Sequence, residues 1–251
     1  MIKYIVFMCI AHILGDFYFQ TENMANNKAK WYKWVLLHSL AYAVVAFAAA
    51  LILLDFNSDV LLAGFLIGAS HFLIDTFKFL MVRKRKLKNE WTVFYVDQIL
   101  HGVSILILAE VFKQWNYMLS YAGAIKVLMP ELLGNIELYA KWVLILLVLH
   151  KPTNILVAKF LSQYKPFTES QDVTSIIETK NAGKVIGTIE RLIMIILIAI
   201  NQYSALGLVL TAKSITRYEK ISKEKGFAEY YLLGTLMSLL CVLVMSFLLK
   251  L

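Results

Sequence analysis

The chain has 251 residues, of which 60% are hydrophobic and 17% are charged, and its formal net charge is +8. Soluble domains are about half apolar and a quarter charged, so this composition excludes an ordinary soluble domain and predicts a polytopic membrane protein. Both cysteines, Cys9 and Cys241, lie inside apolar runs, which excludes a disulfide framework. The basic residues lie between the apolar runs, so we expect them to set the topology and contact membrane lipid, with no nucleic-acid partner.

Seven apolar runs are long enough to cross a bilayer, which takes about 20 helical residues. The first run contains His12 and Asp16 and has no small-residue cleavage site, so we interpret it as a retained helix rather than a signal peptide. The runs are residues 2–20, 35–54, 60–82, 92–112, 138–163, 185–212 and 228–249. We therefore predict an all-α transmembrane bundle of six or seven membrane segments, with a four-helix core at 1–112 and a C-terminal part at 113–251.

The charges of the early loops predict the orientation of the chain. Residues 21–34 carry three lysines against one glutamate, and residues 83–91 carry five basic residues against one glutamate. Residues 55–59 between them carry two acids and no base. Because positively charged loops stay in the cytoplasm, we expect the N-terminus outside.

The basic segment at residues 213–225 conflicts with seven simple crossings, which would place it outside. One late run is therefore not a simple crossing. The first candidate is 138–163, where Pro152 within His150-Lys151-Pro152-Thr153-Asn154 predicts a broken or re-entrant helix near residues 150–154. The second is 185–212, with a turn at residues 201–204, and the third is an interfacial or re-entrant piece at residues 117–134.

Three pairs of histidine and aspartate lie four residues apart, a spacing that places both members on one helical face. The predicted orientation brings the pairs, and one further histidine, to the same depth in the cytoplasmic half of the membrane. One such pair alone is as compatible with a structural ion pair as with a functional site. The convergence of three pairs indicates a functional polar site. The histidines are His12, His38, His71 and His101, and the aspartates are Asp16, Asp75 and Asp97.

Neutral imidazoles and carboxylates are the usual ligands of zinc and similar ions, so we expect a divalent metal as cofactor. The predicted metal ligands are His12, His71 and His101 with one aspartate, and His38 is a further ligand or an acid. A metal-bound water with a pKa lowered towards neutrality would need a proton acceptor, and we expect a remaining aspartate to serve as that base. At this depth the site would suit a metal-dependent hydrolase acting on a lipid or other amphipathic substrate, phosphorylated or not.

Other polar residues are candidates for binding a substrate or a lipid headgroup. Near the histidines these are Gln20, Lys78 and Gln98, and in the C-terminal third they are Arg191, Lys213 and Arg217. The alternative for the C-terminal set is interfacial anchoring with one or two ion pairs.

Two other functions are compatible with the same residues. Asp and His side chains in a membrane bundle also form the pathways of proton- or ion-coupled transporters. Paired histidines on facing helices can ligate haem, although the neighbouring aspartates argue against it. An oligomer is compatible with all of these functions.

The pattern resembles the bacterial integral-membrane family catalogued as domain of unknown function 3307. The resemblance rests on His12-x-x-x-Asp16-Phe17 with Gln20, His38, His71-x-x-x-Asp75-x-x-Lys78 and Asp97-Gln98-x-x-His101. Glu190-Arg191, Lys213-Ser214-x-x-Arg217 and Glu229-Tyr230-x-x-x-Gly234-Thr235 are similar to the C-terminal extension of longer members. The resemblance implies a bacterial inner membrane and no established activity. The pattern is also loosely similar to membrane families described as metal-dependent hydrolases.

Overall fold

The computed structural model of the chain describes residues 2–53, 57–84, 89–115, 134–164 and 182–250. These residues are almost entirely helical, and none of them forms a strand. The helices in chain order are α1 (Ile2–Ile13), a π-helix (Leu14–Tyr18), α2 (Glu22–Asn27), α3 (Tyr32–Leu53), α4 (Ser58–Arg83), α5 (Glu90–Gln114), α6 (Ile136–Leu161), α7 (Ala182–Ala199), α8 (Tyr203–Thr216), α9 (Tyr218–Lys223) and α10 (Lys225–Lys250). The predicted all-α class is confirmed.

Five helices are long and apolar enough to cross a membrane, namely α3, α4, α5, α6 and α10. Their outer surfaces are apolar: Leu40 is 63% exposed, Phe65 69% and Ile99 63%. Exposing so much apolar surface to water is unfavourable, whereas contact with lipid tails carries no such cost. The chain is therefore a multi-pass membrane protein.

Helices α1, α3, α4 and α5 pack together in a first compact unit, Met1–Leu144. The buried residues of α4 recur every three or four positions, so they form one face of the helix. Those in the first half are apolar, and two polar residues follow in the second half. Its buried residues are Val60, Ala63, Ile67, His71, Asp75 and Phe79. The apolar part contributes to a core with Met8, Tyr42 and Phe112. The polar part of the same face supplies the site described below.

The second compact unit comprises Ile145–Leu251, in which α7 packs against α8 and α10. The predicted run 185–212 is two helices, because the chain turns at residues 200–202 between α7 and α8. Asn201 there has a φ of 59°, a left-handed conformation that asparagine tolerates well. The amide of Gln202 donates to the carbonyl oxygen of Leu197 at 2.8 Å and closes the end of α7. The turn expected in this run is present.

The interruption predicted near residues 150–154 is wrong, since α6 continues through Pro152. Proline has no N–H to donate to the carbonyl oxygen of Val148, four residues earlier. The hydroxyl of Thr153 donates to that oxygen at 2.8 Å instead. The guanidinium of Arg191 donates to the next carbonyl oxygen, of Leu149, also at 2.8 Å. With these groups satisfied by side chains, the helix does not need to break.

Other predicted boundaries shift. The division between compact units falls at Leu144 and not after residue 112. The basic segment 213–225 is largely helical, since it contains the end of α8 and all of α9. Most of the piece predicted at 117–134 lies outside the described residues.

Candidate metal centre

Asp16 joins three histidines from three different helices. Its Oδ1 atom lies 2.9 Å from Nε2 of His38 and 2.8 Å from Nε2 of His71. Its Oδ2 atom lies 3.9 Å from Nε2 of His12. Asp16 lies within the π-helix, a widened turn that is rare and often occurs at functional sites.

Asp75 pairs with a lysine that the sequence analysis did not select. Nζ of Lys28 lies 2.6 Å from Oδ2 of Asp75, and the two side chains are only 9% and 1% exposed. Lys28 follows the short helix α2, whose first turn is capped by the hydroxyl of Thr21 accepting from the amide of Met24 at 3.2 Å. The segment between α1 and α3 therefore folds back and places the ammonium group of Lys28 in the buried site.

Asp97 pairs with Lys78, whose Nζ atom lies 2.7 Å from Oδ2. The side-chain amide of Gln98 lies 3.4 Å from the same oxygen. Lys78 also lies 3.9 Å from Oδ1 of Asp75, so it links two of the three carboxylates. Its side chain is 25% exposed, which places it at the edge of an otherwise buried cluster.

The cluster contains three carboxylates and only two ammonium groups. With neutral imidazoles it therefore carries one negative charge in excess. Excess charge is costly in an apolar environment unless a partner compensates it. The arrangement favours a bound cation or a protonated histidine.

The aromatic rings of the cluster pack directly against one another. The ring of Tyr42 stacks on His71 with centroids 3.6 Å apart and planes 19° apart. The rings of His12 and His101 stack at 4.8 Å and 23°. Gly15 permits this packing, because a Cβ atom there would overlap the ring of Tyr42. These contacts constrain the orientation of the imidazoles of His12, His71 and His101.

One ring nitrogen of His101 forms a hydrogen bond, and the other has no partner among the described residues. Its Nδ1 lies 2.8 Å from the backbone carbonyl oxygen of Asp97, so Nδ1 carries the proton and donates it. Its Nε2 is buried and has no hydrogen-bond partner among the described residues. A histidine that binds metal through one nitrogen commonly donates from the other to a carbonyl in this way.

Three overlapping groups of side chains have the spacing required to hold a metal ion. In each group one ring nitrogen or carboxylate oxygen per residue lies within 4.8 Å of the others. The groups are His12, Asp16, His71 and His101; His38, His71 and Asp75; and Asp75, Asp97 and His101. The first is the largest and includes His101.

The structure thus brings together all seven predicted histidines and aspartates, with Lys78 and Gln98 at their edge. Gln20 is half-buried in the turn after the π-helix. Sequence reasoning missed Lys28 and Tyr42. Lys28 carries no local sequence signal that separates it from Lys30, which is exposed.

The C-terminal candidates lie in the second unit and have different partners. Arg191 is 2% exposed and contacts α6, α10 and its own helix. Nζ of Lys213 lies 2.6 Å from a carboxylate oxygen of Glu190. Arg217 follows the last residue of α8.

Comparison with known proteins agrees with the resemblance seen in the sequence. No curated protein and no solved structure matches the chain. Residues 4–128 match the family model described as "Protein of unknown function (DUF3307)". This range runs from within α1 to beyond α5 and contains every residue of the histidine and aspartate cluster. Residues 4–128 of the chain therefore belong to the DUF3307 family of proteins of unknown function.

Proposed function

We propose that the cluster binds one divalent transition-metal ion and that the protein is a metal-dependent membrane hydrolase. The observation that carries the metal site is His101, whose buried Nε2 has no described partner while Nδ1 is held by a backbone carbonyl. Its neighbours His12, Asp16 and His71 supply three more ligand atoms within 4.8 Å.

Zinc fits this set of donors best. Three imidazoles and one carboxylate are typical zinc ligands, and a divalent ion would also offset the excess negative charge of the cluster. In the present geometry Nε2 of His71 lies 2.8 Å from Oδ1 of Asp16, and a proton lies between them. A metal ion would replace that proton, as metal ions do at histidine sites. His38 would then hold Asp16 in position from outside the ligand set.

A metal ion in this site would supply an acidified water molecule for hydrolysis. Asp97 would be the proton acceptor, because its Oδ1 has no hydrogen-bond partner among the described residues and lies 3.7 Å from the ring of His101. Lys78 is partly exposed beside it and would hold an anionic group of the substrate, with Gln98 as a neutral donor. These roles suit a lipid or other amphipathic substrate, phosphorylated or not, whose polar group enters past Lys78.

Ion-coupled transport is the second candidate, favoured by the continuity of the network. Contacts run from His12 through Asp16 and His38 to Asp75, and from there through Lys78 to Asp97. Such a chain could also relay protons between helices. Haem is the weakest candidate, because the stacked rings of His12 and His101 leave no space between them for a porphyrin.

We also propose an orientation in a bacterial inner membrane with the N-terminus outside. Six segments would cross, namely α1 with the π-helix, α3, α4, α5, α6 and α10. Helices α7 and α8 would form a hairpin that enters and leaves on the cytoplasmic side, which keeps the basic residues 213–225 in the cytoplasm.

A cysteine introduced at Lys223 should then react with an impermeant maleimide only from the cytoplasmic side, and one at Ser58 only from outside. The reverse labelling would contradict this orientation.

The metal site is tested by the metal content of the full chain, purified in mild detergent without chelators. We expect about one zinc per chain for the wild type and at least a tenfold lower zinc affinity for His101→Gln, because a ligand is lost. His150→Gln is the matched control, since His150 lies exposed on α6, outside the cluster. It should bind zinc like the wild type.

Two outcomes would contradict the proposal. A wild-type chain that neither retains nor rebinds zinc, cobalt or manganese would exclude the metal centre and with it the hydrolase. A metal-loaded chain that releases no product from phospholipid or phosphate-ester probes, but moves protons or metal ions across proteoliposomes, would favour transport instead.

A further inference from the structure

A second polar site lies in the second unit, around the buried side chain of Arg191. Its Nε donates to the carbonyl oxygen of Leu149 at 2.8 Å, and its Nη1 donates to the hydroxyl of Ser238 at 3.2 Å. Its Nη2 donates to the side chains of Asn154 at 2.7 Å and Thr188 at 3.2 Å. A guanidinium has five N–H groups, so one on Nη1 remains beyond these four bonds.

All four of these acceptors are uncharged. The neighbouring carboxylate, Glu190, lies 2.6 Å from Nζ of Lys213 and is thus already paired. The positive charge of Arg191 is therefore buried, at 2% exposure, without a carboxylate among its described hydrogen-bond partners. A buried charge of this kind needs compensation.

A row of hydroxyl groups on α10 extends from Arg191. Tyr231, Thr235 and Ser238 are spaced by four and three residues, so they share one face of the helix. The hydroxyl oxygens of Tyr231 and Thr235 are buried and have no hydrogen-bond partner among the described residues. Ser238 accepts from Arg191, which leaves its own hydroxyl hydrogen available.

The other end of this row reaches a partly exposed cation. Nζ of Lys213 lies 5.6 Å from the ring centroid of Tyr231, and the Lys213 side chain is 22% exposed. The hydroxyls therefore connect a buried guanidinium with a lysine near the surface of the unit. A cationic side chain therefore lies beside each end of this row, Lys213 at Tyr231 and Arg191 at Ser238.

We propose that Arg191, Ser238, Thr235 and Tyr231 form a binding site for a phosphate-type oxyanion. Hydroxyl groups along one helix face beside a guanidinium supply the donors that the oxygen atoms of a phosphate accept, and charge-assisted hydrogen bonds are the strong ones. The oxyanion comes either from free phosphate or from the phosphate headgroup of a lipid. The site is separate from the metal centre and does not depend on the hydrolase proposal.

A purely structural role for Arg191 explains only part of the geometry. Its four hydrogen bonds do hold α6, α7 and α10 together. They leave the hydroxyls of Tyr231 and Thr235 unsatisfied, which is costly for buried polar groups. By contrast, the hydroxyl of Thr211 donates to the carbonyl oxygen of Gly207 in its own helix at 2.8 Å. An oxyanion would satisfy both hydroxyls and the charge together.

The test uses the full chain in dodecyl maltoside at constant ionic strength. The probes are inorganic phosphate and dodecyl phosphate, and the readouts are the shift in melting temperature and the dissociation constant. Thr235→Val and Tyr231→Phe remove one hydroxyl each with little change in shape. Thr211→Val is the matched control, because that hydroxyl is exposed and already bonded.

We expect at least one probe to raise the melting temperature of the wild type and the control. Thr235→Val and Tyr231→Phe should each weaken binding about tenfold or more, without lowering the melting temperature of the probe-free chain. A response to inorganic phosphate would identify free phosphate as a sufficient ligand, and a response only to dodecyl phosphate would identify a lipid headgroup. The proposal is overturned if neither probe binds the wild type, or if both variants bind as tightly as Thr211→Val.

Discussion

Replacing Lys28 by methionine is expected to destabilise the first unit by about 3–5 kcal/mol, the usual cost of leaving a buried charge without its partner. Lys28 and Asp75 are 2.6 Å apart, and their side chains are 9% and 1% exposed. The remaining cation near Asp75, Lys78, lies 3.9 Å away and is already bonded to Asp97. The measurement is the free energy of unfolding of the full chain in detergent.

A double variant distinguishes the charge from the loss of packing. Lys28→Met combined with Asp75→Asn removes both charges, so it should recover most of the stability lost in the single variant. Lys223→Met is the matched control, because Lys223 and Glu219 are 2.5 Å apart but 70% and 82% exposed. Exposed pairs contribute little, so the control should show no measurable change. If Lys28→Met were as harmless as the control, the cluster would not need this cation.

The cluster was predictable because helical periodicity is strong in the sequence. Histidine and aspartate four residues apart must share a helical face, and an apolar segment gives such a pair no exterior position that water can reach. His71 and Asp75 lie accordingly on the buried face of α4. Loop charges then predict that the pairs lie at one depth, and the structure brings their side chains into contact.

The pairing inside the cluster was not predictable. Asp16 lies closer to His38 and His71, on other helices, than to its sequence partner His12. Which residue approaches which depends on helix rotation and on the π-helix at Asp16, and neither has a clear pattern in the sequence. Lys28 was interpreted only as a topology signal, because nothing in the sequence shows that its segment folds back to Asp75.

The helix interruption predicted at Pro152 is absent, and this shows how tertiary contacts override local rules. Pro152 predicts an interrupted helix from its missing N–H alone. Hydrogen bonds from Thr153 and from the distant Arg191 satisfy the neighbouring carbonyls, and α6 remains continuous. The chain turns instead at Asn201, whose left-handed conformation a short polar side chain tolerates.

Replacing Asp16 by asparagine is expected to lower the zinc affinity of the full chain by about 100-fold or more, since it removes both a proposed ligand and the group that orients two imidazoles. Oδ1 of Asp16 lies 2.8 Å from His71 and 2.9 Å from His38. Asparagine keeps the size but removes the negative charge, and its NH2 group cannot accept a hydrogen bond. The measurement is zinc competition against a chelator of known affinity.

Asp59→Asn is the control for this substitution, because Asp59 lies in the first turn of α4, outside the cluster. It should bind zinc like the wild type. The zinc-free Asp16→Asn chain should remain folded in detergent, since the buried negative charge that it removes is the excess one in the cluster. Unchanged zinc affinity in Asp16→Asn would show that any metal binds without this carboxylate. The network joining Asp16, His38 and His71 would then be a structural hydrogen-bond network rather than part of a metal centre.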